Sequence, residues 1–138
     1  MKQIKEQIKN SCRKLGFDQT GTDEVGALLA TLCASKPRGR FLELGTGCGL
    51  STAWMLAGMD EASHLISVDN RADVLAVAQE HLGRDPRLTL IEGTGEEVID
   101  AHPSHSFDLI FADTWPGKYH YLEEALDCLL YTSPSPRD

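Results

Sequence analysis

The chain has 138 residues, of which 41% are hydrophobic and 25% are charged, a composition typical of a globular protein with one domain. The formal net charge of −8 disfavours nucleic acid as a partner, because an acidic surface repels the phosphate backbone. No apolar stretch is long enough to span a bilayer and the N-terminus has no apolar signal core, so the sequence predicts a cytoplasmic protein that does not engage a membrane.

Two helices are predicted at the start of the chain. Apolar residues at helical spacing indicate an amphipathic first helix that ends at Gly16. A second helix opens at Asp23 and Glu24, where negative charge suits the positive end of the helix dipole. Its buried face is predicted to consist of Val25, Leu28, Leu29, Leu32 and Cys33.

Strands and helices then alternate with short connections. Short apolar runs predict strands at residues 40–44, 64–69, 87–92 and 107–113. Helices are predicted after them, at residues 51–59, 73–82, 96–101 and 117–126. This alternation predicts an α/β fold built from right-handed βαβ units around a parallel sheet. Ligands of such sheets bind beyond the carboxyl ends of the strands, so the residues that follow each strand are the candidates for function.

The last residues of the chain continue none of these patterns. Residues 128–138 contain two Ser-Pro steps and resemble a translated sequencing-library adapter, which predicts a non-native read-through tail. A natural disordered tail is the alternative. The expected organisation is therefore an N-terminal helix at 1–20, a partial α/β domain at 21–127 and this tail.

The cysteines are scattered along the chain as Cys12, Cys33, Cys48 and Cys128. They form no Cys-x-x-Cys pair, so the spacing indicates neither a zinc site nor a redox motif. Isolated cysteines fit a reducing compartment, and we expect these thiols to be reduced.

A glycine-rich run, Glu43-Leu44-Gly45-Thr46-Gly47-Cys48-Gly49, follows the first predicted strand. Glycines at this place let the backbone turn tightly and approach a ligand, although a turn without a ligand is an alternative. NAD enzymes also use a glycine-rich turn, but their fingerprint has glycine where this chain has Leu50. A pyrophosphate would disfavour the carboxylate of Glu43, whereas a ligand with a cationic amino-acid end would accept it.

Acidic residues follow the next two strands. Asp69 ends the second strand, where a carboxylate can accept hydrogen bonds from both hydroxyls of an adenosine ribose. NAD enzymes place an acid at the same position, and a loop-capping role is the alternative. Gly95 and Glu96 follow the third strand, where an acidic helix N-terminus is the alternative to a ligand site.

The glycine-rich run resembles motif I of the class I S-adenosylmethionine-dependent methyltransferases, and the resemblance covers residues 21–127. It implies a Rossmann-like methyltransferase sheet in the order 3-2-1-4, truncated after the fourth parallel strand. It also implies S-adenosylmethionine as the cofactor and methylation of a small molecule, with O-methylation favoured. The cofactor-binding residues that it implies are Glu43, Gly45, Thr46, Gly47, Gly49, Ser51, Asp69, Asn70, Gly95 and Glu96.

The residues that follow the fourth predicted strand resemble bacterial O-methyltransferases related to the catechol type, with which they share an Asp-x-Trp pair at Asp113 and Trp115. In those enzymes the aspartate binds a divalent cation, so the resemblance implies Asp113 as a metal ligand. Their lysine after the tryptophan is replaced by Pro116, and Lys118 is the nearest amine. We expect Asp113, Lys118 and His120 to be the catalytic residues. An NAD-dependent oxidoreductase and an inactive cofactor-binding fragment remain alternatives, and the residues favour no oligomeric state.

Overall fold

Helices and strands alternate along the computed structural model of the chain, which describes residues 1–16, 22–104, 106–113 and 122–128. The N-terminal helices precede the alternating part, as predicted. In chain order the elements are α1 (Lys2–Lys14), α2 (Asp23–Ala34), β1 (Arg40–Leu44), α3 (Leu50–Gly58), β2 (His64–Asp69), α4 (Ala72–Leu82), β3 (Leu88–Glu92), α5 (Gly95–Asp100), β4 (Leu109–Ala112) and α6 (Leu122–Asp127). The predicted α/β class is confirmed.

The strands form one parallel sheet in the order β3-β2-β1-β4, which is the predicted order. β1 is therefore flanked on both sides, and its last residue, Leu44, pairs with Val68 of β2 and Ala112 of β4. Because these strands run in the same direction, the residues that follow them meet at one edge of the sheet.

Each face of the sheet carries its own apolar cluster. Phe41 and Leu65 point into a cluster that also contains Ile8 of α1 and Met55 of α3. Leu42 of β1 points to the opposite face, into a second cluster. Since side chains alternate between the faces of a strand, residue 43 shares the face of Phe41 and lies under α3.

The buried face of α2 differs from the one predicted. Leu29 and Cys33 are buried as expected, but three of the predicted core residues are exposed. The exposed fractions are 45% for Val25, 57% for Leu28 and 41% for Leu32. The buried residues of α2 are Gly26, Leu29 and Cys33, so its packed face includes a glycine that the apolar pattern did not count.

The close approach of α2 and α3 is clearest at Gly58. A Cβ atom on Gly58 would lie 2.0 Å from the carbonyl oxygen of Ala30, which is a backbone atom. Backbone cannot rotate away as a side chain can, so a larger residue at position 58 would push the two helices apart.

We expect the Gly58→Ala variant to lose about 2 kcal/mol of unfolding free energy, because overpacking of a tight contact forces the backbone to shift. Chemical denaturation monitored by circular dichroism measures this loss. The matched control is Ala57→Ser on the exposed side of the same helix, which should stay within about 0.5 kcal/mol of the parent. Equal stability of the Gly58→Ala variant and the parent would contradict the tight contact.

No helix in the described ranges is both long and apolar enough to cross a membrane. The cytoplasmic location and the boundaries at residues 20 and 127 stay predictions.

Candidate cofactor-binding site

The glycine loop, residues 45–49, connects β1 to α3. Its glycines take left-handed backbone conformations, with φ values of 104° at Gly45 and 56° at Gly47, which other residues rarely adopt. The backbone N–H groups of Gly45 and Thr46 both donate to the carbonyl oxygen of Val68, at 2.8 and 3.1 Å. The loop is thereby fixed to the end of β2.

Gly49 ends the glycine loop and precedes α3. Its φ is 99°, and a Cβ atom there would lie 3.0 Å from side-chain atoms of Ala78 and Leu82 on α4. This predicted cofactor residue is buried and packs beneath α4, and its role in cofactor binding stays a prediction.

Asp69 and Gly47, which sequence reasoning assigned to the same ligand, are in direct contact. The backbone N–H of Gly47 donates to Oδ2 of Asp69 at 2.8 Å, and the N–H of Arg71 donates to Oδ1 at 2.9 Å. The carbonyl oxygen of Asp69 accepts from the N–H of Gly93 at 3.0 Å. The ends of β1, β2 and β3 are thus joined at one place, with Asn70 exposed beside them.

Glu43 is fully buried, with an exposed fraction of 0%. Its carboxylate accepts hydrogen bonds from the hydroxyls of Ser51 and Thr52 at 2.5 Å and of Ser67 at 2.7 Å. Burial raises the pKa of Glu43, these hydroxyls lower it in part, and the negative charge of Asp113 raises it further. The carboxylate has no open surface for a ligand and instead joins the start of α3 to β2.

The buried network extends into the glycine loop through Thr46. The hydroxyls of Thr46 and Ser67 lie 2.6 Å apart, and both side chains are fully buried. Sequence reasoning missed Ser67 and Thr52 as site residues. A signal was present, because Ser67 interrupts an apolar strand and pairs in register with Glu43, the polar residue of the neighbouring strand.

Gly95 and Glu96 begin α5, directly after the turn that follows β3. The Thr94 hydroxyl caps this helix by accepting from the N–H of Glu97 at 3.2 Å. Gly95 is buried and Glu96 is half-buried. Both stand on the edge of the sheet that carries Asp69, which pairs with the last residue of β3.

Asp113 follows β4, and its backbone N–H donates to the carbonyl oxygen of Leu44 at 3.0 Å. Its side chain is exposed, and because Leu44 directly precedes the glycine loop, Asp113 stands on the same edge of the sheet as that loop. Lys118 and His120 lie outside the described residues. Across the ranges that the structure describes, no three His, Cys, Asp or Glu side chains are grouped to hold a metal ion, and the metal role of Asp113 stays a prediction.

The glycine loop also carries a covalent link to α1. Cys12 and Cys48 are joined by a disulfide with a Cα–Cα distance of 6.0 Å, while Cys33 and Cys128 are free and buried. The expectation that all the thiols are reduced is therefore wrong for this pair. Its members are 36 residues apart, and only the packing of α1 against α3 and α4 brings them together.

Residues 42–134 match the family model described as a methyltransferase domain, which covers more than half of the chain. The chain belongs to this methyltransferase family. Membership favours the methyltransferase interpretation over the NAD-dependent oxidoreductase that the glycine-rich run left open.

Curated relatives of this methyltransferase chain include the "Putative O-methyltransferase" of Mycobacterium ulcerans, which is 36% identical over 99 residues. That alignment covers 69% of this chain and 44% of the relative. "Catechol O-methyltransferase B" of Danio rerio is 30% identical over 124 residues, covering 85% of this chain and 46% of the relative. The chain therefore spans less than half the length of these two relatives.

Solved structures give the same fold. A structure named "putative O-methyltransferase from Klebsiella pneumoniae" is 30% identical and superposes with a TM-score of 0.78, covering 91% of this chain and 60% of the other. An O-methyltransferase from Bacillus cereus, solved in complex with SAH, is 20% identical with a TM-score of 0.78. The superposition covers 94% of this chain and 62% of the other chain. At 20% sequence identity, this similarity shows the fold alone.

Proposed function

We propose that this chain binds S-adenosylmethionine at the glycine loop and Asp69, and that the whole protein methylates an oxygen of a small molecule. The observation that carries the proposal is the hydrogen bond of 2.8 Å between the Gly47 N–H and the Asp69 carboxylate. This hydrogen bond brings the glycine loop and Asp69, the carboxylate proposed to bind the ribose, together at the carboxyl end of the sheet, where ligands of such sheets bind.

The groups at this edge suit the two ends of the proposed cofactor. Each Asp69 oxygen accepts one backbone N–H and keeps a second lone pair for a ribose hydroxyl. Gly45 and Gly47 leave the backbone of the glycine loop bare of side chains, so that the amino-acid end of the cofactor can approach it closely. Asn70, Gly95 and Glu96 are proposed to border the adenosine from the neighbouring strand ends.

Glu43 and Ser51 have a different proposed role, because Glu43 is buried and Ser51 donates to it at 2.5 Å. We assign Glu43 as a positioning residue that fixes the start of α3 and, through Ser67 and Thr46, the glycine loop. The cofactor would then meet a loop whose conformation is already set, which lowers the cost of binding.

When bound, S-adenosylmethionine supplies a methyl group on a sulfonium for in-line transfer to a nucleophile. A hydroxyl acceptor needs a base or a metal ion to remove its proton. Asp113 stands at the end of β4 beside the glycine loop, so we propose it for the acceptor side, as a base or as one ligand of a divalent cation. Lys118 and His120 are proposed for the same side on sequence grounds. The names of the relatives, O-methyltransferase and catechol O-methyltransferase, support an oxygen acceptor.

Isothermal titration calorimetry with S-adenosylhomocysteine and with NAD tests the cofactor assignment. We expect the chain to bind S-adenosylhomocysteine with a dissociation constant in the micromolar range and at least about 100 times more tightly than NAD. The reason is that this chain has Leu50 where the glycine-rich turn that binds the pyrophosphate of NAD has glycine. Equal or tighter binding of NAD would overturn the proposal. The Glu80→Ala variant, changed at an exposed position of α4, should bind S-adenosylhomocysteine like the parent.

A further inference from the structure

The disulfide between Cys12 and Cys48 ends inside the proposed cofactor site. Cys48 lies between Gly47, whose N–H contacts Asp69, and Gly49, which precedes α3. Its partner Cys12 lies on the inner side of α1. The exposed fractions are 1% for Cys12 and 0% for Cys48, and their Cα–Cα distance of 6.0 Å falls in the range that a disulfide requires.

Within the described residues, α1 packs against α3 and α4 through a small apolar face to which Ile4 contributes as a partly buried residue. Ile8 and Cys12 are its only buried residues within the described part of the chain. An ion pair of 3.1 Å joins Lys5 to Asp23, whose side chain is mostly exposed, and such surface pairs stabilise little. The Ser11 hydroxyl lies 2.9 Å from Nε2 of His81 on α4. The disulfide is therefore the one covalent link through which α1 can hold the glycine loop.

We propose that Cys12 and Cys48 form a redox modification site that controls how firmly the glycine loop is held and, through the loop, the affinity for the cofactor. The part of this proposal that concerns cofactor affinity rests on the proposed function. In the disulfide form, α1 and the loop move as one body, and the loop keeps the conformation that contacts Asp69. In the dithiol form, α1 can detach, and the loop must be ordered again when the cofactor binds.

A disulfide such as glutathione disulfide is the oxidant class that this step requires. When α1 detaches locally, the Cys12 thiol loses its proton and attacks one sulfur of glutathione disulfide, releasing one glutathione thiolate. The Cys48 thiol, also deprotonated, then attacks the Cys12 sulfur of the mixed disulfide and releases the second glutathione. The new S–S bond accounts for two electrons lost by the protein, and two glutathione thiols take up the two protons.

Cys33 provides a matched control within the same apolar cluster. Burial, with a smaller contribution from the charge of Glu43, raises the pKa of its thiol to about 11. A thiol of this kind is almost entirely protonated near neutral pH and is a poor nucleophile, so Cys33 should take no part in the exchange.

The experiment compares the 138-residue chain after treatment with glutathione disulfide and after treatment with dithiothreitol. Maleimide labelling in denaturant, read by mass spectrometry, should give two labels for the oxidised chain and four for the reduced chain. Hydrogen exchange at the amides of Gly47 and Gly49 should be about tenfold slower in the oxidised chain. S-adenosylhomocysteine should bind about tenfold more tightly to the oxidised chain.

Three variants separate the proposed pair from other effects of the reagents. The Cys12→Ser and Cys12→Ala variants should behave like the reduced chain under both treatments, whereas Cys33→Ser should respond as the parent does. The oxidised parent should also melt about 10 °C higher than the reduced parent, since the bond closes a long loop.

Four maleimide labels after oxidation would overturn the proposal, and so would equal exchange of the glycine-loop amides in the two states. A higher melting temperature with equal affinity for S-adenosylhomocysteine would show a structural cross-link only and would also overturn it. Failure of both states to bind S-adenosylhomocysteine would instead refute the proposed function, and the labelling and exchange results would still decide whether the pair restrains the loop.

Discussion

The Glu43→Ala variant is expected to lose about 3 kcal/mol of unfolding free energy relative to the parent. The change removes the common acceptor of the Ser51, Thr52 and Ser67 hydroxyls. Thr52 and Ser67 are fully buried and cannot turn to water, so the Thr52 hydroxyl loses its acceptor and the Ser67 hydroxyl keeps only the Thr46 hydroxyl as a partner. The substitution also removes the buried charge of Glu43, whose desolvation is costly, and this offsets part of the loss in unfolding free energy. Urea denaturation monitored by circular dichroism measures the difference.

The Glu43→Gln variant separates the hydrogen bonds from the charge. The pKa of Glu43 is raised in the folded state, so its ionisation favours unfolding, and the parent should lose stability as the pH rises from the unfolded pKa of about 4.3 through the folded pKa. The amide cannot ionise, and this part of the pH dependence should disappear in the Glu43→Gln variant. Stability of Glu43→Ala equal to that of the parent at all pH values would show that the network contributes nothing.

The order and type of the elements were predictable because the strands are short apolar runs separated by glycine, proline or acidic residues. β1 and β2 have the predicted bounds, and the other predicted ends differ from the structure by a few residues. The face of α2 was not predictable in this way, since hydrophobic periodicity weighs apolar size. The close approach of α2 and α3 places Gly58 against Ala30 and Gly26 against Trp54, while Leu28 of α2 stays exposed.

The site was partly predictable for a different reason. Gly47 and Asp69 are local signals, each at a strand end, and the parallel topology alone brings them to one edge. The burial of Glu43 depends on which hydroxyls the neighbouring elements supply, and the sequence does not rank those partners. The disulfide between Cys12 and Cys48 depends on where α1 packs, and spacing along the chain carries no information about that.

The Asp69→Ala variant is expected to bind S-adenosylhomocysteine at least about 100-fold more weakly than the parent. The change removes the acceptor proposed for both ribose hydroxyls, and hydrogen bonds to a charged acceptor contribute roughly 1.5–3 kcal/mol each. It also removes the acceptor of the Gly47 and Arg71 N–H groups, so part of the loss arises in the glycine loop itself. Calorimetry at one pH and ionic strength measures the affinity.

The Asp69→Asn variant divides this loss into its two causes. Its carbonyl oxygen can still accept from the Gly47 N–H, so hydrogen exchange at the glycine loop should stay close to that of the parent while the charged acceptor for the ribose is lost. We therefore expect a loss of about tenfold for Asp69→Asn, between the parent and Asp69→Ala. The Glu80→Ala variant removes the same charge from the exposed side of α4 and should leave affinity unchanged.

If Asp69→Asn binds as tightly as the parent while Asp69→Ala does not, Asp69 acts by holding Gly47 and does not contact the ribose. If neither variant loses affinity, the ligand does not reach the end of β2, and the cofactor site must be placed elsewhere on the chain.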